Sequence, residues 1–110
     1  MTDNVLKRLA DTLEARKTAD PATSYVASLY AQGLDATLKK IGEEATELII
    51  AATSGEKAAI IHETADLWFH TLVMLAQSGL GPEAILMELE RRFDQSGLEE
   101  KAKRKTPQQF

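Results

Sequence analysis

Apolar positions recur at helical spacing along almost the whole chain. Val5, Leu6, Leu9 and Leu13 fall on one face and predict a first amphipathic helix over roughly 3–17. The polar stretch 18–23, with Pro21, reads as a loop. Ser24 is placed to cap a short helix, Tyr25 to Gln32, which Gly33 ends. Asp35 is expected to cap the next helix, which runs to about Thr53 with an apolar stripe of Leu38, Ile41, Ala45, Leu48, Ile49 and Ala52. Gly42 lies inside it, where close packing against a neighbour is the ordinary reason to accept a poor helix former. After Ser54-Gly55, a helix over roughly 56–78 is apolar on nearly every side, which predicts a central, buried element with Trp68 and Phe69 in the core. Gly79-Leu80-Gly81 is a turn, and Pro82 suits the first position of a helix carrying Ile85, Leu86, Leu89 and Phe93. Ser96-Gly97-Leu98-Glu99 has capping-box spacing and predicts a last basic helix to about Lys105.

No sustained alternation of period two and no Asn-Gly or Asp-Gly turn competes with this pattern. The predicted fold is all-α, a helical bundle with two long antiparallel helices at its centre. A length of 110 residues fits one domain, 1–110. So apolar a central helix in so small a chain also predicts a homodimer.

Composition narrows the function classes. The chain is 44% hydrophobic and 27% charged, which is globular. Thirteen basic against seventeen acidic residues give a net charge of −4, which argues against a non-specific nucleic-acid binder. There is no cysteine, so disulfides, thiolate zinc sites and thiol nucleophiles are excluded. The opening residues lack a secretory pattern and no apolar run suffices for a membrane span, so a soluble cytoplasmic protein is expected.

Candidate chemistry sits on the two long helices. Glu43, Glu44 and Glu47 share one side of the first, while Glu63 and Asp66 lie one turn apart on the second. A Glu-Glu-x-x-Glu run alone is usually a solvated face. On the second helix, however, Glu56, Glu63, Asp66 and His70 form a polar strip within about 80° on an otherwise apolar cylinder. Buried carboxylates need protonation, basic partners or a cation. A short connection makes the two helices antiparallel neighbours, which can bring the carboxylate pairs face to face. All-oxygen ligation suits a hard dication, Mg²⁺ with Mn²⁺ as a substitute. A di-iron bundle would need Glu-x-x-His, and the third residue after each leading Glu here is Glu47 or Asp66. His62 and His70 read as ordinary surface or supporting residues, His70 being in reach of Asp66.

The spacing Glu-Glu-x-x-Glu followed by Glu-x-x-Asp on a second helix resembles the MazG-like all-α nucleoside-triphosphate pyrophosphohydrolases. Within that superfamily, Ser24-Tyr25-Val26, the segment Lys39-Lys40-Ile41-Gly42-Glu43-Glu44-Ala45-Thr46-Glu47 and the segment Ser96-Gly97-Leu98-Glu99-Glu100-Lys101-Ala102 resemble the phosphoribosyl-ATP pyrophosphatase family. The resemblance implies an intertwined helical dimer that uses Mg²⁺. It implies hydrolysis of the α–β phosphoanhydride of phosphoribosyl-ATP to phosphoribosyl-AMP and pyrophosphate, the second step of histidine biosynthesis. It further implies Glu44, Glu47, Glu63 and Asp66 as metal ligands, with Glu43 or Glu47 as the base that activates water. Anionic substrate groups need positive charge: Lys40, one turn before Glu44, is the best placed, with Lys39, Arg91, Arg92, Lys101, Lys103 and Arg104 as further candidates. Ser24 and Tyr25 are candidate substrate contacts, with cap and core roles as their alternatives. Two rival readings are a house-cleaning pyrophosphohydrolase of (deoxy)nucleoside triphosphates and a non-catalytic helical interaction module.

Overall fold

The structure, a computed structural model, describes residues 5–93. Five α-helices occur in that range, with no strand among the described residues: α1 (Val5–Ala15), α2 (Tyr25–Gln32), α3 (Leu34–Ser54), α4 (Lys57–Gln77) and α5 (Pro82–Phe93), with a 3₁₀ turn, Arg16–Thr18, after α1. The basic helix expected over 96–105 lies outside the described residues.

Local chemistry sets the helix ends. Asp20 organises the loop before α2, its Oδ1 accepting from the Ala22 N–H at 2.9 Å and its carbonyl from those of Thr23 and Ser24. Ser24 is extended and its Oγ accepts from the Ala27 N–H at 3.1 Å, the expected N-cap. Gly33, at φ +95°, closes α2 and opens α3 at once. Its N–H bonds the Leu29 and Tyr30 carbonyls, while its own carbonyl accepts from Ala36. Asp35 is therefore not the cap; it sits in the first turn of α3, where its charge favours the positive helix end. α4 ends in a Schellman motif: Leu80 N–H reaches the Leu75 carbonyl at 2.8 Å and Gly79 N–H the Ala76 carbonyl at 3.2 Å.

α3 and α4 are 21 residues each, about 31 Å long. Two residues join them, so they run antiparallel, and their contact is the most extensive among the described helices. α1 packs on α4 and α5, and α2 on α3. The core gathers Leu13, Val26, Leu29, Leu72, Val73, Leu75 and Ala76. The phenol of Tyr30 anchors α2 to α1 by donating to the Leu13 carbonyl at 2.8 Å.

Three further expectations change. The buried face of α3 is Thr37, Glu44 and Ala51, with Ile41 and Leu48 half-buried between them. Leu38 and Ile49 of the expected stripe point outward, at 44% and 66% exposure. The 4-3-4-3 spacing of the buried set is that of a two-helix seam, in which a Thr and a Glu hold places that hydrophobicity alone assigns elsewhere. Second, α4 is buried over His70–Ala76, yet Ile61 and Trp68 are exposed. Trp68 is not core: it borders a groove of about 370 Å³ lined by Leu6 of α1, Leu67 and Leu72 of α4, and Leu86 and Leu89 of α5. Third, among the described residues a Cβ on Gly42 would meet nothing within 4 Å, so close packing against them does not explain that glycine.

Candidate active site

The α3–α4 seam carries the acidic residues. Glu44 faces into it and is 8% exposed, a nearly buried carboxylate. Its partner is Lys40, one turn earlier, with Nζ 3.3 Å from Glu44 Oε2 and 3.7 Å from Glu43 Oε1. The Glu44 hydrogen bond holds the Lys40 ammonium above its ordinary range, with Tyr25 and Glu43 adding to the effect against partial burial. Glu43 and Glu47 are exposed beside this pair.

Across the seam, α4 presents Glu63 and Asp66, both half-buried. Burial pushes the Glu63 carboxyl above its ordinary value; the nearby His62 opposes this, and the negative charges of Glu44, Glu47 and Asp66 reinforce it. Carboxylates from both helices thus act on one another. Asp66 Oδ2 lies 3.4 Å from His62 Nε2, one turn back. Ligand atoms of His62, Glu63 and Asp66 all lie within 4.8 Å of one another. His62 is exposed, as expected of a surface residue, and its i,i+4 relation to Asp66 gives it a carboxylate partner.

Behind these acids lies a second polar link. His70 is 4% exposed, and its Nδ1 lies 2.8 Å from the backbone oxygen of Asp66, not from the carboxylate. Its Nε2 lies 2.8 Å from the hydroxyl of Tyr25. Burial raises the phenol's pKa, Lys40 opposes the shift, and Glu44, Asp66 and Glu43 add to it. Tyr25 therefore stands at the edge of the acidic cluster. The two residues are 45 apart in the chain, and no local pattern announces such a pairing.

The basic candidates divide. Lys40 is in the cluster and Lys39 is exposed beside it on α3. Arg91 and Arg92 lie on α5, where both bond Glu88, Arg91 Nη2 at 2.7 Å and Arg92 Nε at 3.0 Å. Lys101, Lys103 and Arg104 lie outside the described residues. Ser24 caps α2 through its side chain.

Five carboxylates, the His62 imidazole and the Lys40 ammonium with its two ion pairs stand along this seam, rich in oxygen and short of positive charge; the set whose ligand atoms lie within 4.8 Å of one another holds His62, Glu63 and Asp66 and not Glu44 or Glu47. Residues 6–93 match the model of the family described as phosphoribosyl-ATP pyrophosphohydrolase. A protein of Methylococcus capsulatus named phosphoribosyl-ATP pyrophosphatase is 66% identical over 93% of this chain and 97% of its own length. Proteins of the same name from Bordetella avium and Chromobacterium violaceum are 61% and 56% identical, over 92% and 96% of this chain and 90% and 97% of their own lengths. Match and relatives span all five helices and both acidic segments, and the chain belongs to the phosphoribosyl-ATP pyrophosphohydrolase family.

Proposed function

We propose that the chain hydrolyses the α–β phosphoanhydride of phosphoribosyl-ATP, releasing phosphoribosyl-AMP and pyrophosphate, as the second step of histidine biosynthesis. The observation that carries this reading is the family match across a seam where carboxylates from two helices act on one another.

The seam suits a hard dication. Glu63 is pushed toward its neutral form by burial and by its acidic neighbours, and an external cation removes that penalty. Glu44, Glu47, Glu63 and Asp66 would hold Mg²⁺, or Mn²⁺ in its place. When bound, such an ion neutralises charge on the triphosphate and favours in-line displacement.

The chain's own groups do the rest. Lys40 fixes the Glu44 carboxylate by their 3.3 Å contact and adds positive charge beside an anionic substrate. Glu43 or Glu47, both exposed, accepts a proton from water. The water oxygen bonds the α-phosphorus, the bond to the bridging oxygen breaks, and the electron pair leaves with pyrophosphate. Lys39 offers a further charge to the phosphates. Arg92, with Lys101 and Arg104, belongs to the same proposal for the ribose phosphate.

Exposed Ile49, Ile61, Trp68 and Met87 support a homodimer. None of the described helices is long and apolar enough to cross a membrane, and a cytoplasmic enzyme with a single domain over 1–110 completes the reading. Pyrophosphate release from phosphoribosyl-ATP, with and without Mg²⁺, tests it. Turnover that survives chelation, or a preference for any deoxynucleoside triphosphate, overturns it.

A further inference from the structure

The chain has two histidines, and α4 carries both. His70 is spent: it is 4% exposed, with Nδ1 2.8 Å from the Asp66 backbone oxygen and Nε2 2.8 Å from the Tyr25 hydroxyl. His62 is open, with 71% of its side chain exposed. It lies one turn before Asp66 on the same face of the helix, and its Nε2 stands 3.4 Å from Asp66 Oδ2. Glu63 completes a group of three whose ligand atoms all lie within 4.8 Å of one another. Glu63 is half-buried, and among the described residues no hydrogen bond or ion pair holds its carboxylate.

Donors at the ~2.0–2.2 Å typical of zinc, spread at the tetrahedral angle, stand about 3.4 Å apart. The His62 imidazole and the Asp66 carboxylate are already at that separation. Glu63 needs to close by no more than about 1.4 Å, the difference between 4.8 Å and that edge, which a side-chain rotation supplies. One nitrogen and two oxygens from the protein, with a further position left to water, make the pattern of an open zinc site. An imidazole donor favours Zn²⁺ or Co²⁺ over Mg²⁺, which takes oxygen ligands in octahedral geometry. The acids of α3 are arranged otherwise: Glu44 is held by Lys40 at 3.3 Å, and neither it nor Glu47 belongs to the group of three.

We propose that His62, Glu63 and Asp66 form a site on α4 for a transition-metal dication, Zn²⁺ or Co²⁺, that takes Glu63 and Asp66 away from the proposed magnesium set and so inhibits hydrolysis. The two modes share two ligands, so each excludes the other. The four seam carboxylates suit the hard ion, and the imidazole is what the softer ion gains. The site stands on the geometry of α4 and needs no nucleotide; its inhibitory consequence alone rests on the hydrolytic reading.

Calorimetric titration of the full chain with Zn²⁺, and visible absorption of its Co²⁺ complex, read the site without turnover. Zinc binding is expected, with cobalt bands of a low-coordinate site that includes nitrogen. His62→Gln is expected to remove those bands and to weaken zinc by at least about tenfold, since even an outer partner of a metal ligand is worth that much. Magnesium affinity should change by no more than about twofold, because a hard ion gains little from imidazole. Equal zinc affinity in the wild type and His62→Gln overturns the proposal. Glu47→Gln, which removes an exposed acid of α3, is expected to weaken magnesium and leave zinc as it was. If zinc falls with magnesium, it sits among the four seam carboxylates and the proposal is overturned. In turnover, zinc should compete with Mg²⁺ and inhibit His62→Gln about tenfold less well than the wild type. Zinc that supports hydrolysis as magnesium does overturns the inhibitory role. No turnover by the wild type, with the zinc and cobalt results as expected, would sink the functional proposal and leave the α4 site standing.

Discussion

Glu88 on α5 and Glu63 on α4 are both carboxylates on helices, and their surroundings push them in opposite directions. Glu88 accepts from Arg91 and Arg92, and these two guanidinium groups draw its pKa down to about 2. Burial pushes Glu63 up, and the negative charges of Glu44, Glu47 and Asp66 add to the effect. On α5, charge is balanced within one turn and a half of helix. At the α3–α4 seam, Lys40 pairs with Glu43 and Glu44, while among the described residues the basic group beside Glu63 and Asp66 is His62. An arrangement that repels itself in the free protein is a poor way to stabilise a bundle. It is a good way to bind something positive.

The largest effect expected from this contrast is on catalysis. Asp66→Asn or Glu47→Gln should lower kcat by at least about a hundredfold, beyond what loss of an outer-shell partner costs at a metal centre, with the helical circular dichroism spectrum unchanged. Glu88→Gln should leave turnover within about twofold, since surface ion pairs contribute little. Near-wild-type rates in both seam variants would reduce the seam to a solvated acidic face.

Next in size is the effect of the cation on stability. At about a hundred times its dissociation constant, Mg²⁺ should stabilise the fold by about 2.7 kcal/mol. Thermal unfolding with and without the ion reads this directly. The rise in Tm should be lost in Asp66→Asn and kept in Glu88→Gln. An equal rise in both would mean general screening of a net-acidic chain rather than a site.

A smaller, independent effect concerns Thr37, on the same seam as Glu44. It is fully buried, and its Oγ1 has no hydrogen-bond partner among the described residues. Thr37→Val keeps the shape and removes the unpaired hydroxyl, so it should raise stability by about 1 kcal/mol in urea titration, with activity unchanged. A loss instead would show that the hydroxyl finds a partner.

These residues also show how far the sequence was legible. Ends set by local chemistry were readable: the Ser24 cap, the Gly33 break and the Pro82 start each depend on a few adjacent residues. The buried face of α3 was not, because hydrophobicity favours Leu38 and Ile49, while Thr37 and Glu44 take the seam. Trp68 was misread for a related reason, since an apolar residue on a long helix does not say which helix covers it. Of the site, the spacing of the acids was visible and so was their helical phase. The pairing of Tyr25 with His70 was not, as it depends on how α2 meets α4 in space.

The smallest expected effect returns to Glu88 and follows from the sign of its shift. A carboxyl whose pKa falls on folding, here from 4.5 to about 2, binds its proton less readily in the folded state. It therefore contributes stability above the unfolded value, and that contribution is lost as pH drops through about 2. Glu88→Gln should lower Tm slightly at neutral pH and not at all once the wild-type carboxyl is protonated. The size is modest because the group is open to solvent and salt screens it. Thermal melts across acid pH, at low and at high salt, provide the check. A Tm difference that persisted unchanged into strong acid would show that Glu88 acts through packing on α5 and not through its charge, and the contrast with Glu63 would no longer be one of electrostatics.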